Sequence, residues 1–168
     1  GLTLLAPSSC AEQQQMLQWA VEDHHGVVAI RYPRGGDRCC VDFSWDLQTV
    51  VSDGILACHR EGDDILLVTY GTLLQNVLDA AQMLSECGIE ATVCRFVSLN
   101  PLPVSQLTAY MHDNSKVIVV EETGDQCGGC WELSHKLRQI LPDCAVFWLN
   151  LGSNYVQHGT QNVLYSYY

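Results

Sequence analysis

Positive charge is scarce in this chain: eight Lys or Arg stand against nineteen Asp or Glu in 168 residues, a formal net charge of −11. A nucleic-acid or anionic-membrane surface needs clustered cations, so the charge balance argues against both as partners. No run of about 18 apolar residues is present, and nothing reads as a membrane-spanning helix. The amino terminus lacks the charged, apolar, small-residue order of a secretion signal, and the expected setting is the cytoplasm. Low-complexity and proline-rich tracts are absent as well, and at 48% hydrophobic and 16% charged the composition is that of a globular chain. Its length suits one compact domain with room for a fragment of another. A glycine-rich phosphate loop is missing after the first expected strand, where Pro7-Ser8-Ser9-Cys10 stands instead, so a small nucleotide- or flavin-binding protein is disfavoured. Nine cysteines are an odd number; without a secretion signal they read as reduced thiols, with Cys58, Cys87 and Cys94 in apolar positions as small core residues.

Against that scarcity, Arg31, Arg34 and Arg38 form the only dense basic cluster. Val27-Val28-Ala29-Ile30 is an apolar strand that runs into Arg31-Tyr32-Pro33-Arg34-Gly35. Pro33 blocks further strand pairing, Gly35-Gly36 free the backbone, and two planar guanidiniums sit at the strand's carboxyl end. Such an edge suits recognition of an anion. The competing reading is two solvated loop arginines.

Along the chain, strands and helices alternate. Leu2 to Ala6 reads as a strand and Ser9-Cys10-Ala11-Glu12 as a capping box. A helix with Met16, Leu17, Ala20 and Val21 on one face follows; Gly26 ends it, and Val27 to Tyr32 is the return strand. His24-His25 falls at the carboxyl end of that helix. Residues 37–53 keep no period and read as a linker, with short strands expected at Val50-Val51 and Ile55 to Cys58. Ile65 to Tyr70 is a strand buried on both faces. Gly71-Thr72 then leads into a helix with Leu73, Leu74, Val77, Leu78, Ala81 and Leu84 at helical spacing, closed by a glycine at Gly88. Thr92 to Phe96, Lys116 to Val120 and Ala145 to Leu149 are further strands. Val104 to Met111 and Trp131 to Leu141 are helices, and a last helix is expected from near Thr160. The pattern predicts an α/β fold: a mostly parallel open sheet of about five strands with helices on both faces, preceded by a β-α-β fragment.

The order and wording of Leu5-Ala6-Pro7-Ser8-Ser9, Ala29-Ile30-Arg31-Tyr32-Pro33-Arg34-Gly35 and Leu67-Val68-Thr69-Tyr70-Gly71 carry a family look. So do Gly88-Ile89-Glu90-Ala91-Thr92-Val93, Arg95-Phe96-Val97 with Pro101-Leu102, Val119-Val120-Glu121-Glu122 with Gly128-Gly129, and His158-Gly159-Thr160. Together they resemble the carboxyl-terminal part of the 1-deoxy-D-xylulose-5-phosphate synthase family of the transketolase superfamily, over essentially the whole chain. The resemblance implies that residues 1–36 are the tail of a middle, pyrimidine-binding domain, residues 37–53 a linker, and residues 54–168 a transketolase-type carboxyl-terminal domain. It implies a parent enzyme that uses thiamine diphosphate and Mg²⁺, forms a homodimer, and condenses pyruvate with D-glyceraldehyde 3-phosphate. It also implies that Arg34, with Arg31 as second candidate, holds the substrate phosphate. The fragment alone is expected to be inert and to bind no cofactor, since its partner domains are missing. The alternative is a stand-alone, non-catalytic dimerisation or regulatory module of the same fold.

No catalytic, cofactor-binding or metal-ligating residue is expected in this chain. The family's Gly-Asp-Gly diphosphate motif is not recognisable; Ser52-Asp53-Gly54, Gly62-Asp63-Asp64 and Gly124-Asp125-Gln126 read as turns. Cys127-Gly128-Gly129-Cys130 has Cys-x-x-Cys spacing, but no second ligand pair follows, and a local substitution around Gly-Gly is the preferred reading. Glu121-Glu122 lies at a strand's carboxyl end without a partner nucleophile, which points to a structural or interdomain role. His158 is expected to fix a turn.

Overall fold

The computed structural model describes residues 1–32, 46–111, 116–124, 129–140, 142, 144–153, 155–160, 163–164 and 166. Strand β1 (Leu2–Leu5) leads through Pro7-Ser8-Ser9 into helix α1 (Cys10–Glu22). Ser9 is the extended N-cap, and its hydroxyl accepts the Glu12 N–H at 3.1 Å, pairing a donor that every helix start leaves open. Glu12 reaches back to the N–H and hydroxyl of Ser8 rather than to Ser9, so the expected capping box is displaced by one residue.

The buried face of α1 is Glu12, Met16 and Trp19, spaced i, i+4, i+7. Leu17 and Val21, expected beside Met16 on the inner face, are 48% and 83% exposed. The helix is rotated because the large indole of Trp19 takes the inward position, where it stacks on His24 at 4.6 Å between ring centroids. The His24 N–H donates to the Trp19 carbonyl, closing the carboxyl end two residues before Gly26. β2 (Val27–Ile30) then returns parallel to β1.

Residues 47–53, expected as linker, contain a 3-10 turn at Leu47–Thr49 and helix α2 (Val50–Asp53). Val50, expected in a strand, is helical and fully buried against Leu5, Met16, Trp19 and Ile55. Its burial outweighs the weak strand preference of a β-branched pair. Residues 33–45 lie outside the described residues.

A second sheet is built from β3 (Leu56–Arg60), β4 (Ile65–Tyr70), β5 (Ala91–Phe96), β7 (Lys116–Val120) and β8 (Ala145–Leu149), in the order β3-β5-β4-β7-β8. All neighbours run parallel except β3, which lies antiparallel on β5 at the edge. The long connections are α3 (Leu74–Glu86), between β4 and β5, and α5 (Gly129–Ile140), between β7 and β8, as parallel pairing requires. Leu67, Val93 and Ala91 face α3 through Leu74, Val77 and Ala81, while Leu66, Val68, Cys94, Phe96 and Val119 face Leu107, Leu133 and Leu137. Both faces of β4 are therefore covered, which is why its sequence is continuously apolar.

Helix α3 ends in a Schellman motif: Ile89 donates to the Leu84 carbonyl and Gly88 to that of Ser85. Gly88, at φ 80°, supplies the left-handed residue this motif needs. After β5 the chain forms β6 (Ser98–Asn100), a strand absent from the sequence reading, followed by α4 (Val104–Leu107) and a 3-10 turn at Thr108–Tyr110. β6 leaves the second sheet and adds antiparallel to β1, so the small sheet has the order β2-β1-β6. The Leu164 N–H donates to the Thr160 carbonyl at 3.0 Å, in keeping with a last helix from that point.

Candidate functional site

Three strand ends converge where the two sheets meet. The Arg31 N–H donates to the Leu5 carbonyl at 2.8 Å, which extends the β1–β2 ladder by one residue past Ile30. This fixes the start of the arginine-bearing segment. Its guanidinium carbon lies 5.3 Å from the ring centroid of Tyr70, within cation–π range. Tyr70 is the last residue of β4 and is buried, and its hydroxyl donates to Glu121 Oε2 at 2.8 Å. Glu121 follows β7 and is itself only 3% exposed. Burial, then the Glu121 charge, pushes the Tyr70 phenol far above its ordinary value, so it stays a donor at any ordinary pH. Gly71, at φ 65°, turns the chain away from this cluster; a side chain there would begin 3.7 Å from Arg31 Nη1 and 3.8 Å from the Pro7 carbonyl. Arg31 is thus placed at the edge, while Arg34 and Arg38 lie outside the described residues.

Behind the edge is a buried ion pair that the sequence reading did not single out. Arg95 Nη2 and Glu12 Oε1 are 2.7 Å apart, with side chains 0% and 1% exposed. Arg95 Nη1 also reaches the Ala6 carbonyl at 3.4 Å. The pair joins α1 of the small sheet to β5 of the large one, and Glu12's second oxygen is held by Ser8. Two desolvated charges are tolerated only because each is paired and hydrogen-bonded. His59 on β3 senses the same pair: burial, then the Arg95 charge, lowers its pKa to about 4 against an opposing pull from Glu12. The imidazole is neutral at pH 7.

The sequence segments with Gly-Asp wording are occupied otherwise. Gly54, at φ 70°, follows Asp53, and a side chain there would fall 2.5 Å from the Pro101 carbonyl. Asp64 Oδ2 accepts the Glu90 N–H at 2.7 Å, and the Gly62 N–H donates to Thr92 Oγ1 at 2.9 Å. Gly62 and Asp64 thus knit their turn to β5 and its start, Gly54 is packed on Pro101, and these groups do not fit a diphosphate–Mg²⁺ cradle; Asp125 lies outside the described residues. Among the described residues no group of three His, Cys, Asp or Glu could hold a metal ion. Cys127 lies outside the described residues, as do Gly128 and the Cys130 side chain. Cys94 is buried and faces Cys58 across the β3–β5 ladder; burial raises both thiols, which makes them poor nucleophiles. Cys87, expected in the core, is exposed at the C-cap of α3: the helix ends there, and its inward face with it.

Residues 54–168 match the family described as transketolase, C-terminal domain. A 1-deoxy-D-xylulose-5-phosphate synthase of Desulforudis audaxviator is 34% identical over 171 residues, covering 100% of this chain and 26% of its own length. One from Synechocystis is 37% identical over 124 residues, covering 73% of this chain and 19% of its own length. The chain therefore spans about a quarter or less of these curated relatives. Among solved structures, a chain titled split gene transketolase, inactive beta4 tetramer, superposes with a TM-score of 0.83 at 23% identity, covering 99% of this chain and 53% of that one.

Proposed function

This chain belongs to the transketolase C-terminal domain family, and from that membership we propose that it is the carboxyl-terminal part of a 1-deoxy-D-xylulose-5-phosphate synthase. The observation that carries the reading is the alignment of the whole chain with the Desulforudis enzyme at 34% identity. The parent joins pyruvate to D-glyceraldehyde 3-phosphate, giving 1-deoxy-D-xylulose 5-phosphate and CO₂, in the cytoplasm and as a homodimer. Thiamine diphosphate and Mg²⁺ belong to the amino-terminal and middle domains of the parent, a reading supported by the described turns at Gly54 and Gly62–Asp64, whose groups are spent on packing. The part left to this chain is the edge after β2, where Arg34 grips the phosphate of the acceptor and Arg31 is the second candidate. The domain division falls at residues 1–36, 37–53 and 54–168.

A second reading is favoured by one observation: the neighbour at TM-score 0.83 is titled an inactive assembly. On that reading the chain is a non-catalytic module of the same fold. The full-length parent decides between them. Purified with thiamine diphosphate and Mg²⁺, it should release CO₂ from pyruvate only when glyceraldehyde 3-phosphate is supplied. Absence of that dependence overturns the synthase reading, and saturable micromolar binding of thiamine diphosphate to the 168-residue chain overturns the assignment of the cofactor to the other domains.

A further inference from the structure

The Arg31 edge rests on a support from the other sheet. β2 is an edge strand and is partly exposed along its whole length, so on its own it holds its carboxyl end loosely. Tyr70 comes from β4, a central strand of the large sheet, and it is 3% exposed. Its hydroxyl is fixed by Glu121 at 2.8 Å, and the face of its ring meets the Arg31 guanidinium at 5.3 Å. A rigid ring thus touches a cation that stands three residues before Arg34. Resting on the phosphate reading above, in which Arg31 is the second candidate, we propose that Tyr70 is a positioning residue that, anchored by Glu121, clamps the Arg31 guanidinium in place for the phosphate of the acceptor. A planar guanidinium discriminates by geometry as much as by charge, so loss of its support should weaken phosphate recognition without touching the donor substrate.

Two measurements test this. In the full-length parent, the ratio of kcat/KM for glyceraldehyde 3-phosphate to that for unphosphorylated glyceraldehyde reads phosphate recognition alone. Tyr70→Leu should lower that ratio about tenfold with the pyruvate KM within twofold, and Tyr70→Phe, which keeps the ring but loses the Glu121 anchor, should fall between wild type and Leu. Equal losses with both aldehydes, or an unchanged ratio, overturn the proposal. In the 168-residue chain, the Arg31 Nε–Hε resonance should be shifted upfield by the ring, keep that shift in Tyr70→Phe and lose it in Tyr70→Leu. An unshifted resonance in the wild-type chain overturns the clamp whatever the kinetics. A wild-type parent that uses both aldehydes equally well overturns instead the phosphate reading on which the proposal rests, and the resonance still decides the clamp.

Discussion

The two sheets of this molecule solve different problems. In the large sheet β5 is buried at every one of its six residues and β4 at five of six, with helices on both faces. In the small sheet β2 is buried at none of its four, and Val27, Leu17, Val21 and Tyr32 stand open to solvent. The centre of the large sheet is covered on both faces, although its edge strand β8 is buried at none of its five residues and its main core takes in Ala6 and Leu99 beside the small sheet. The small one is tied to it by β6, by Val50 in a shared cluster, and by the Glu12–Arg95 pair. An apolar interface alone would tolerate sliding, whereas a buried pair with hydrogen-bonded partners on both sides admits one registration. On the proposed phosphate reading, stability and anion recognition fall to different regions: the centre of the large sheet supplies the scaffold and the small sheet the Arg31 edge.

The comparison breaks most sharply at Glu12 and Arg95. Glu12→Gln or Arg95→Met leaves one charge buried without its partner and should cost about 3–5 kcal/mol in urea unfolding. The double variant should recover a substantial part of that loss, since the penalty lies in the stranded charge. A single-variant loss below about 1 kcal/mol would show that the two regions are not joined through this pair.

Arg34→Ala probes the recognition side. In the parent it should raise the KM for glyceraldehyde 3-phosphate by about ten- to a hundredfold, the worth of a charged hydrogen bond of roughly 1.5–3 kcal/mol, and leave that for pyruvate nearly unchanged. Equal effects on both substrates would make Arg34 a structural residue.

How far the sequence discloses this division can be seen residue by residue. Elements of the large sheet are legible because burial on both faces leaves continuous apolar runs, as in Ile65 to Tyr70, and because Gly88 marks a helix end by a conformation that other residues avoid. The small sheet is less legible. Periodicity alone puts Leu17 and Val21 inward, and only the bulk of Trp19 turns α1 the other way. β6 has three residues, too few to show a period, and it is placed by a partner strand almost a hundred residues earlier. Arg95 carries a usable signal: a charge between Cys94 and Phe96, inside a strand apolar on both sides, must have a buried partner. Which carboxylate answers it depends on packing that no local pattern records. The arginines of residues 31–38 stand out because cations are few, but the ring that Arg31 meets, Tyr70 held by Glu121, comes from a different sheet.

His59 offers a smaller test of the same junction. Its pKa is about 4 in the folded chain, against 6.5 for an unperturbed imidazole, so between those values the unfolded chain binds more protons than the folded one. Stability is complete above pH 6.5 and falls as the pH drops toward 4. Because His59 is partly reached by water, the loss from this residue should be about 1–2 kcal/mol. His59→Asn should make the decline between pH 6.5 and 4 shallower by that amount while leaving the neutral-pH side flat. An unchanged acid limb would mean that burial and the Arg95 charge do not hold this imidazole neutral.

The smallest effect belongs to the open face of α1. Leu17 and Val21 stand one turn apart at 48% and 83% exposure, so polar replacements remove little buried area. Leu17→Gln together with Val21→Gln should change the unfolding free energy of the 168-residue chain by no more than about 0.5 kcal/mol. On the proposed domain division the same pair would meet a different surface in the full-length parent, because a middle domain that includes residues 1–36 would continue past β2, an edge strand among the described residues, and over this helix. There the double variant should cost more than in the chain alone, by about 1–3 kcal/mol if both side chains become buried. Equal, negligible losses in both proteins would show that the face stays wet in the parent, and the openness of the small sheet would then be a property of the domain itself rather than of the missing cover.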